Sequence, residues 1–266
     1  MTGTRVPAED IRLLRRRGVR ALAEREVLRV VRLWSQTIVP AVLVAVLFIV
    51  VFGVALGDRI PTIDGIPYET FIVPGLVLMG VATSAFANTA TSIFQARNDG
   101  FIEDPVSSPM GPGHLLVGYL AGGVVRGLLI GLATLASARL LVDYPLERPL
   151  VLAAALALTS LAFSALGTAV GLLSRGWEFQ NVVGSLIIQP LVFLGGVFYS
   201  VSALGQPWRA LTHADPIYYM VLAAREGITG HGEVAPALSL GVTAAITAVL
   251  VGWAWACLAR GVGIRT

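Results

Sequence analysis

The stretch TFIVPGLVLMGVATSAFANTATSIFQA, residues 70–96, contains no Asp, Glu, Lys or Arg. A helix rises about 1.5 Å per residue, so roughly 20 apolar residues suffice to cross the hydrocarbon of a bilayer. This run is longer than that. Outward from it the pattern repeats. Leu33–Gly57, Pro149–Ser174, Phe179–Trp208 and Val234–Ala259 also carry no charge, and Leu115–Val142 carries only Arg126 and Arg139. The pattern predicts an all-α membrane protein with six transmembrane helices, near 36–57, 69–94, 113–142, 150–173, 179–199 and 234–258.

With 56% hydrophobic and 13% charged residues in a chain of 266, most of the polypeptide belongs in lipid, because a soluble fold covers its surface with far more polar groups. Six spans and short loops use nearly the whole length. They leave an arm at 1–35, a transmembrane domain at 36–258 and a tail at 259–266. All nineteen basic residues are Arg, and nine of them (Arg5, Arg12, Arg15, Arg16, Arg17, Arg20, Arg25, Arg29, Arg32) precede the first span. A basic flank beside a first span sets topology and meets anionic headgroups, which outweighs a nucleic-acid reading. The polar region is too long for a cleaved signal peptide. With the N-terminus in the cytoplasm, thirteen arginines fall inside against four outside (Arg59, Arg148, Arg209, Arg225). Both termini are then cytoplasmic.

Within the arm, Arg25, Arg29 and Arg32 share one helical face, and Val27, Leu28, Val31 and Trp34 share another. That pattern predicts an amphipathic helix lying in the headgroup plane. Gly123, Gly127 and Gly131 in the third span, and Ser160, Ser164, Gly167 and Gly171 in the fourth, allow helix backbones to approach closely.

Much chemistry is excluded. Without Lys there is no phosphate-binding G-x-x-x-x-G-K-[ST] loop, and neither H-E-x-x-H nor G-x-S-x-G occurs. His114, His213 and His231 are not in a paired metal-ligand spacing, and the lone Cys257 forms neither an internal disulfide nor a metal cluster. The spans also lack the carboxylates that ion-coupled pumps keep at mid-membrane depth. No catalytic residue, metal ligand or bound cofactor is expected.

Two segments carry a resemblance. The first is Phe71-Ile72-Val73-Pro74-Gly75-Leu76, followed by Ser92-Ile93-Phe94-Gln95-Ala96-Arg97-Asn98-Asp99-Gly100-Phe101-Ile102-Glu103-Asp104-Pro105-Val106-Ser107-Ser108-Pro109. The second is Gln189-Pro190-Leu191-Val192-Phe193-Leu194-Gly195-Gly196-Val197-Phe198-Tyr199, then Pro207-Trp208, Asp215-Pro216-Ile217-Tyr218-Tyr219 and Ala224-Arg225-Glu226. In order and spacing they resemble the permease subunits of type-2 ABC exporters, which include bacterial drug, lipid and polysaccharide exporters. Asp215 stands where that family usually has Asn; the turn cap is kept and a charge is added.

The resemblance implies a half-transporter of the bacterial inner membrane. A second permease copy, in a homodimer or heterodimer, completes the pathway, and two separate ATPase subunits bind ATP and Mg. The exported cargo would be an amphiphilic drug or lipid, with a polysaccharide or glycolipid as alternative. The loop after the second span would dock the ATPase through Arg97, Asp99, Phe101, Ile102, Glu103 and Asp104, apolar anchors giving affinity and charges register. Arg126 is a candidate for contacting an anionic head group, since a mid-span charge costs about 2.5–3.5 kcal/mol on insertion scales. Asn88, Asn181 and Gln189 are further pathway candidates. The segment 200–233 is too apolar for a free loop. It is expected to dip into the outer leaflet as two short helices forming an outer gate, with Trp208, Asp215, Tyr218 and Tyr219. The competing classes are a non-transporting membrane anchor or assembly factor, and an intramembrane enzyme dependent on His213 or Asp215.

Overall fold

The computed structural model describes residues 8–54 and 62–264. Arg5, the predicted span end at 55–57, the segment 58–61 with Arg59 and Pro61, and Arg265 lie outside the described residues. The chain forms α1 (Ala8–Arg32), α2 (Trp34–Gly53), α3 (Tyr68–Asn98), α4 (Glu103–Ser107), α5 (Pro112–Arg139), α6 (Pro149–Leu173), α7 (177–194), α8 (Trp208–Ala214), α9 (Pro216–Thr229) and α10 (Pro236–Ala259). A short antiparallel hairpin, Thr62–Ile63 with Ile66–Pro67, leads into α3.

Among the described residues five helices, α2, α3, α5, α6 and α10, are long and apolar enough to cross a membrane. The fifth predicted span differs from these. It is helical as α7, but ends at Leu194 rather than 199, because Gly195 and Gly196 follow and Gly196 takes φ +77°. Glu178, Gln180 and Asn181 fall in its first turns, and it widens into a π-helical segment over Val183–Ile188.

The stretch 70–96 lies in α3, which is buried along almost all its length, as a helix apolar on every side must be. α5 and α6 flank it, and α6 also packs on α9 and α10. Small residues set these distances. A Cβ on Gly127 would lie 2.7 Å from Ser160 Oγ, one on Gly131 2.9 Å from a Val81 methyl, and one on Gly171 2.8 Å from the Ala90 carbonyl oxygen. The glycine ladder of α5 thus faces the serine ladder of α6, with α3 in the same seam. Thr89 in that seam donates from Oγ1 to the Ser164 carbonyl at 2.9 Å. In lipid such close van der Waals contact and interhelical bonding replace the hydrophobic drive between helices.

The arm is a helix that turns one stripe toward the protein and another away from it. Leu28, Val31 and Trp34 are exposed, whereas Leu22, Glu26 and Val30 are buried. These fall at four-residue spacing and run up α5 in the same direction as that helix. Leu22 sits at Gly118, where a Cβ would meet its side chain at 2.5 Å, and Glu26 Cβ sits 2.8 Å from where a Cβ on Gly122 would be. Further down, Arg15 Nε donates to the Pro109 carbonyl at 2.8 Å. The arm packs lengthwise on α5 because two glycines there leave a slot for one helix ridge.

At the opposite end, the backbone N–H groups of Glu147 and Arg148 donate to the carbonyls of Ile228 and Gly227 at 3.2 and 3.0 Å, stitching the α5–α6 loop to α9. The segment 200–233 folds as two short helices, α8 and α9, and α9 is buried along nearly its whole length.

Candidate functional site

The α3–α5 connection turns at Gly100 with φ +76°. Ile102 and Pro105 tuck under it, and Phe101 is left 60% exposed. Glu103 and Asp104 occupy the first turn of α4, where the helix dipole favours negative charge. With Asp99 they make three exposed carboxylates around one exposed aromatic ring. Arg97 is not part of this surface. Its Nε donates to the Gly263 carbonyl at 2.7 Å, and its Nη1 reaches the carbonyls of Leu172, Gly171 and Ser174 at 2.7, 2.9 and 3.0 Å. It caps the end of α6 and holds the residues after α10.

Next to the loop, α1 and α3 enclose a cleft of about 570 Å³ lined by Arg25, Arg29, Arg32, Gln95, Asp99 and Phe101. At its wall lies Glu26, only 2% exposed. The carboxylate accepts from Ser92 Oγ of α3 at 2.7 Å, and from Arg25 and Arg29 at 3.0 and 2.9 Å. Arg29 also donates to the Asn88 carbonyl at 3.2 Å. Asn88 is therefore packed behind the arm. Arg126 lies one turn above Gly122 on α5, and its buried Nε has no partner. The sequence offered little sign of Glu26, one acid among many arginines. Its spacing from Leu22 and Val30 was the available signal.

A second cavity, about 370 Å³, opens between α3 and α7. Thr83, Thr91, Gln180, Asn181, Ser185 and Gln189 line it with Phe86 and Ile188, and none of its lining residues is charged. Gln180 is buried with an unpartnered Nε2. The π-helical segment of α7 forms part of this wall; such segments are frequent where a helix must present groups to a site. Two of the four pathway candidates, Asn181 and Gln189, meet here; Asn88 and Arg126 do not.

At the far end Asp215 caps α9, its Oδ1 accepting from the Ile217 N–H at 2.9 Å. Burial pushes its carboxyl up to about 6, against the lowering effect of that bond. Tyr218 donates to Glu233 at 2.8 Å, and burial together with this partner raises its hydroxyl pKa. Tyr219 donates to the His213 carbonyl at 3.1 Å, while Trp208 stands exposed at the start of α8. Arg225 is 4% exposed, donates to the Gly196 carbonyl at 2.7 Å and lies 3.8 Å over the Phe71 ring. Burial lowers its pKa to about 10. It ties α9 to the end of α7 and the start of α3. Glu226 beside it pairs with Arg148. Among the described residues no group of three His, Cys, Asp or Glu is placed to hold a metal ion.

The profile of the ABC-2 type transporter family matches residues 17–229. The chain is 34% identical over 250 residues to the inner membrane transport permease YadH of Escherichia coli K12, covering 94% of this chain and 97% of that one. It is also similar to nodulation protein J of Sinorhizobium fredii, with 28% identity over 172 residues, 64% of this chain and 65% of the relative. Against nodulation protein J of Rhizobium leguminosarum the identity is 23% over 198 residues, 74% of this chain and 76% of the relative.

Proposed function

The chain belongs to the ABC-2 type transporter family, a membrane transport permease of the bacterial inner membrane, and from that premise we propose how it works. It is the permease half of an exporter whose ATP and Mg are bound and consumed on separate ATPase subunits. Two permease copies and two ATPase copies make the complex. The 36–258 region crosses the bilayer six times, α7 being the remaining span. The arm, the α3–α5 loop and the tail face the cytoplasm, and α8–α9 dip into the outer leaflet as the gate.

The single observation that carries the docking role is Phe101, a ring left 60% exposed among Asp99, Glu103 and Asp104. An aromatic anchor ringed by charges suits a groove on a partner. The loop joins α3 directly to α5, so a push on it reaches both walls. Co-expression with its ABC ATPase subunit tests this. Phe101→Ala combined with Glu103→Arg and Asp104→Arg should leave the permease in the membrane and lower ATPase co-purification at least tenfold, about 1.4 kcal/mol. Undiminished co-purification would refute the docking role.

The α3–α7 cavity is the cargo path. Its hydroxyl and amide lining beside Phe86 and Ile188 suits an amphiphile with an uncharged hydrogen-bonding head. The same lining favours a glycolipid as the second cargo class.

A further inference from the structure

The ridge of α1 and the slot on α5 have matching four-residue spacing, and the match does not end where the ridge now sits. On α5 the slot runs Gly118, Gly122, Arg126; on α1 the ridge runs Leu22, Glu26, Val30. On α3, which runs the opposite way, the facing polar residues are Ser92, Asn88 and Ser84, again four apart and all buried. In the register described, Leu22 faces Gly118, Glu26 faces Gly122 and bonds Ser92, and Arg29 reaches Asn88.

Among the described residues, three buried donors of this cluster have no hydrogen-bond partner, Tyr119 Oη, Asn88 Nδ2 and Arg126 Nε, and the last two lie one turn further along. Moving α1 outward by four residues, about 5.4 Å, would bring Leu22 to Gly122 and Glu26 to Arg126. It would also bring the carboxylate to Asn88, and Arg29 to the Ser84 hydroxyl. Glu26 would exchange the Ser92 hydroxyl for Asn88 and Arg126, so both donors gain an acceptor, while Ser92 and the Arg15–Pro109 bond give up theirs. Space is available too, because Gly122, which now admits Glu26, would then admit Leu22. Leu33, with φ −102° and ψ 22°, breaks the helix locally between α1 and α2, although its N–H still donates to the Arg29 carbonyl and its carbonyl accepts from the Thr37 N–H.

We propose that Glu26 is the positioning residue of a one-turn ratchet, keyed to Gly122 and Ser92 in the state described and to Arg126 and Asn88 in a second state. A buried carboxylate adds little stability that an apolar side chain would not supply; it fixes register. Packed helices move between discrete registers rather than sliding continuously. The proposal rests on the reading that an ATPase drives the α3–α5 loop, beside which α1 is anchored through Arg15 and Pro109.

Spin labels at Leu14→Cys and Leu132→Cys, both exposed and outside the polar cluster, measure the slide in a Cys257→Ala background. In the complex with its ATPase in lipid nanodiscs, trapping ATP should shorten the mean label separation by about 5 Å. Arg126→Gln should abolish the shortening while leaving the nucleotide-free distance unchanged. In the isolated full chain, Ser92→Ala removes a bond specific to the first register, so it should populate the shorter distance. An exporting wild-type complex with one unchanged distance in both nucleotide states overturns the ratchet. Should the complex fail to export at all, the functional reading falls. The isolated Ser92→Ala chain then decides the ratchet alone, and a single long distance there rejects it.

Discussion

Asp215 shows how one carboxylate reports its surroundings. Its carboxyl is pushed up to about 6 by burial, so the folded chain holds that proton more tightly than the unfolded chain does. A raised acid pKa stabilises the fold fully below the unfolded value near 3.8, and that stabilisation is lost as pH rises through about 6. Asp215→Asn keeps the cap to the Ile217 N–H, since Asn and Asp cap equally well, and removes the charge. The variant should be more stable than the parent at pH 7.5, on the order of 1–3 kcal/mol, with the gain vanishing only below the unfolded value of 3.8, near pH 3. Thermal unfolding of the detergent-solubilised protein at the two pH values checks this, and an equal difference at both would show that the cap bond, not the charge, matters. That Asp215 caps a turn was readable from the Asp-Pro pair. Its burial was not, because the residues that cover it come from other helices.

At the level of helices, the long uncharged runs were legible because lipid tolerates so few charges. The facing of α5 and α6 was legible in kind from the glycine and serine ladders, though which ladder met which was not. Gly127 is the clearest test of that seam. A Cβ there would stand 2.7 Å from Ser160 Oγ and 3.3 Å from Ala85 Cβ, so Gly127→Val forces α5 away from two helices together. Overpacking of this kind costs about 1–3 kcal/mol, and Gly127→Val should lower the melting temperature, whereas Gly252→Val on α10, with open space around its Cβ position, should not. Equal melting of the two variants would contradict the close approach. The apolar stripe of the arm is turned outward, and its buried stripe contains an acid, Glu26, that hydropathy does not single out. The π-helical segment of α7 left no trace in the sequence that periodicity could detect.

Across the whole molecule, Arg97 illustrates what local sequence cannot convey. It stands at the head of the α3–α5 loop and looked like one of its charges. Its partners instead lie 74, 75, 77 and 166 residues away, all of them main-chain carbonyls. One guanidinium thus holds the ends of α3 and α6 and the Val262–Ile264 strap, whose side chains pack into the same core as Leu172. Arg97→Ala should leave the loop able to bind its ATPase yet reduce export per ATP hydrolysed several-fold, because the held ends come apart. Arg97→Lys should rescue little, since an ammonium cannot reproduce the planar fork. Transport and hydrolysis measured together in proteoliposomes check both, and a fully coupled alanine variant would mean the strap is dispensable. The cavity between α3 and α7 has a consequence for energetics of another kind. Membrane voltage does work only on charge, about 2.3 kcal/mol per elementary charge per 100 mV. Walls built of amides and hydroxyls offer an ionic head no counter-charge, and on the uncharged cargo proposed for them voltage does no work, so depolarisation should neither speed nor slow its exit.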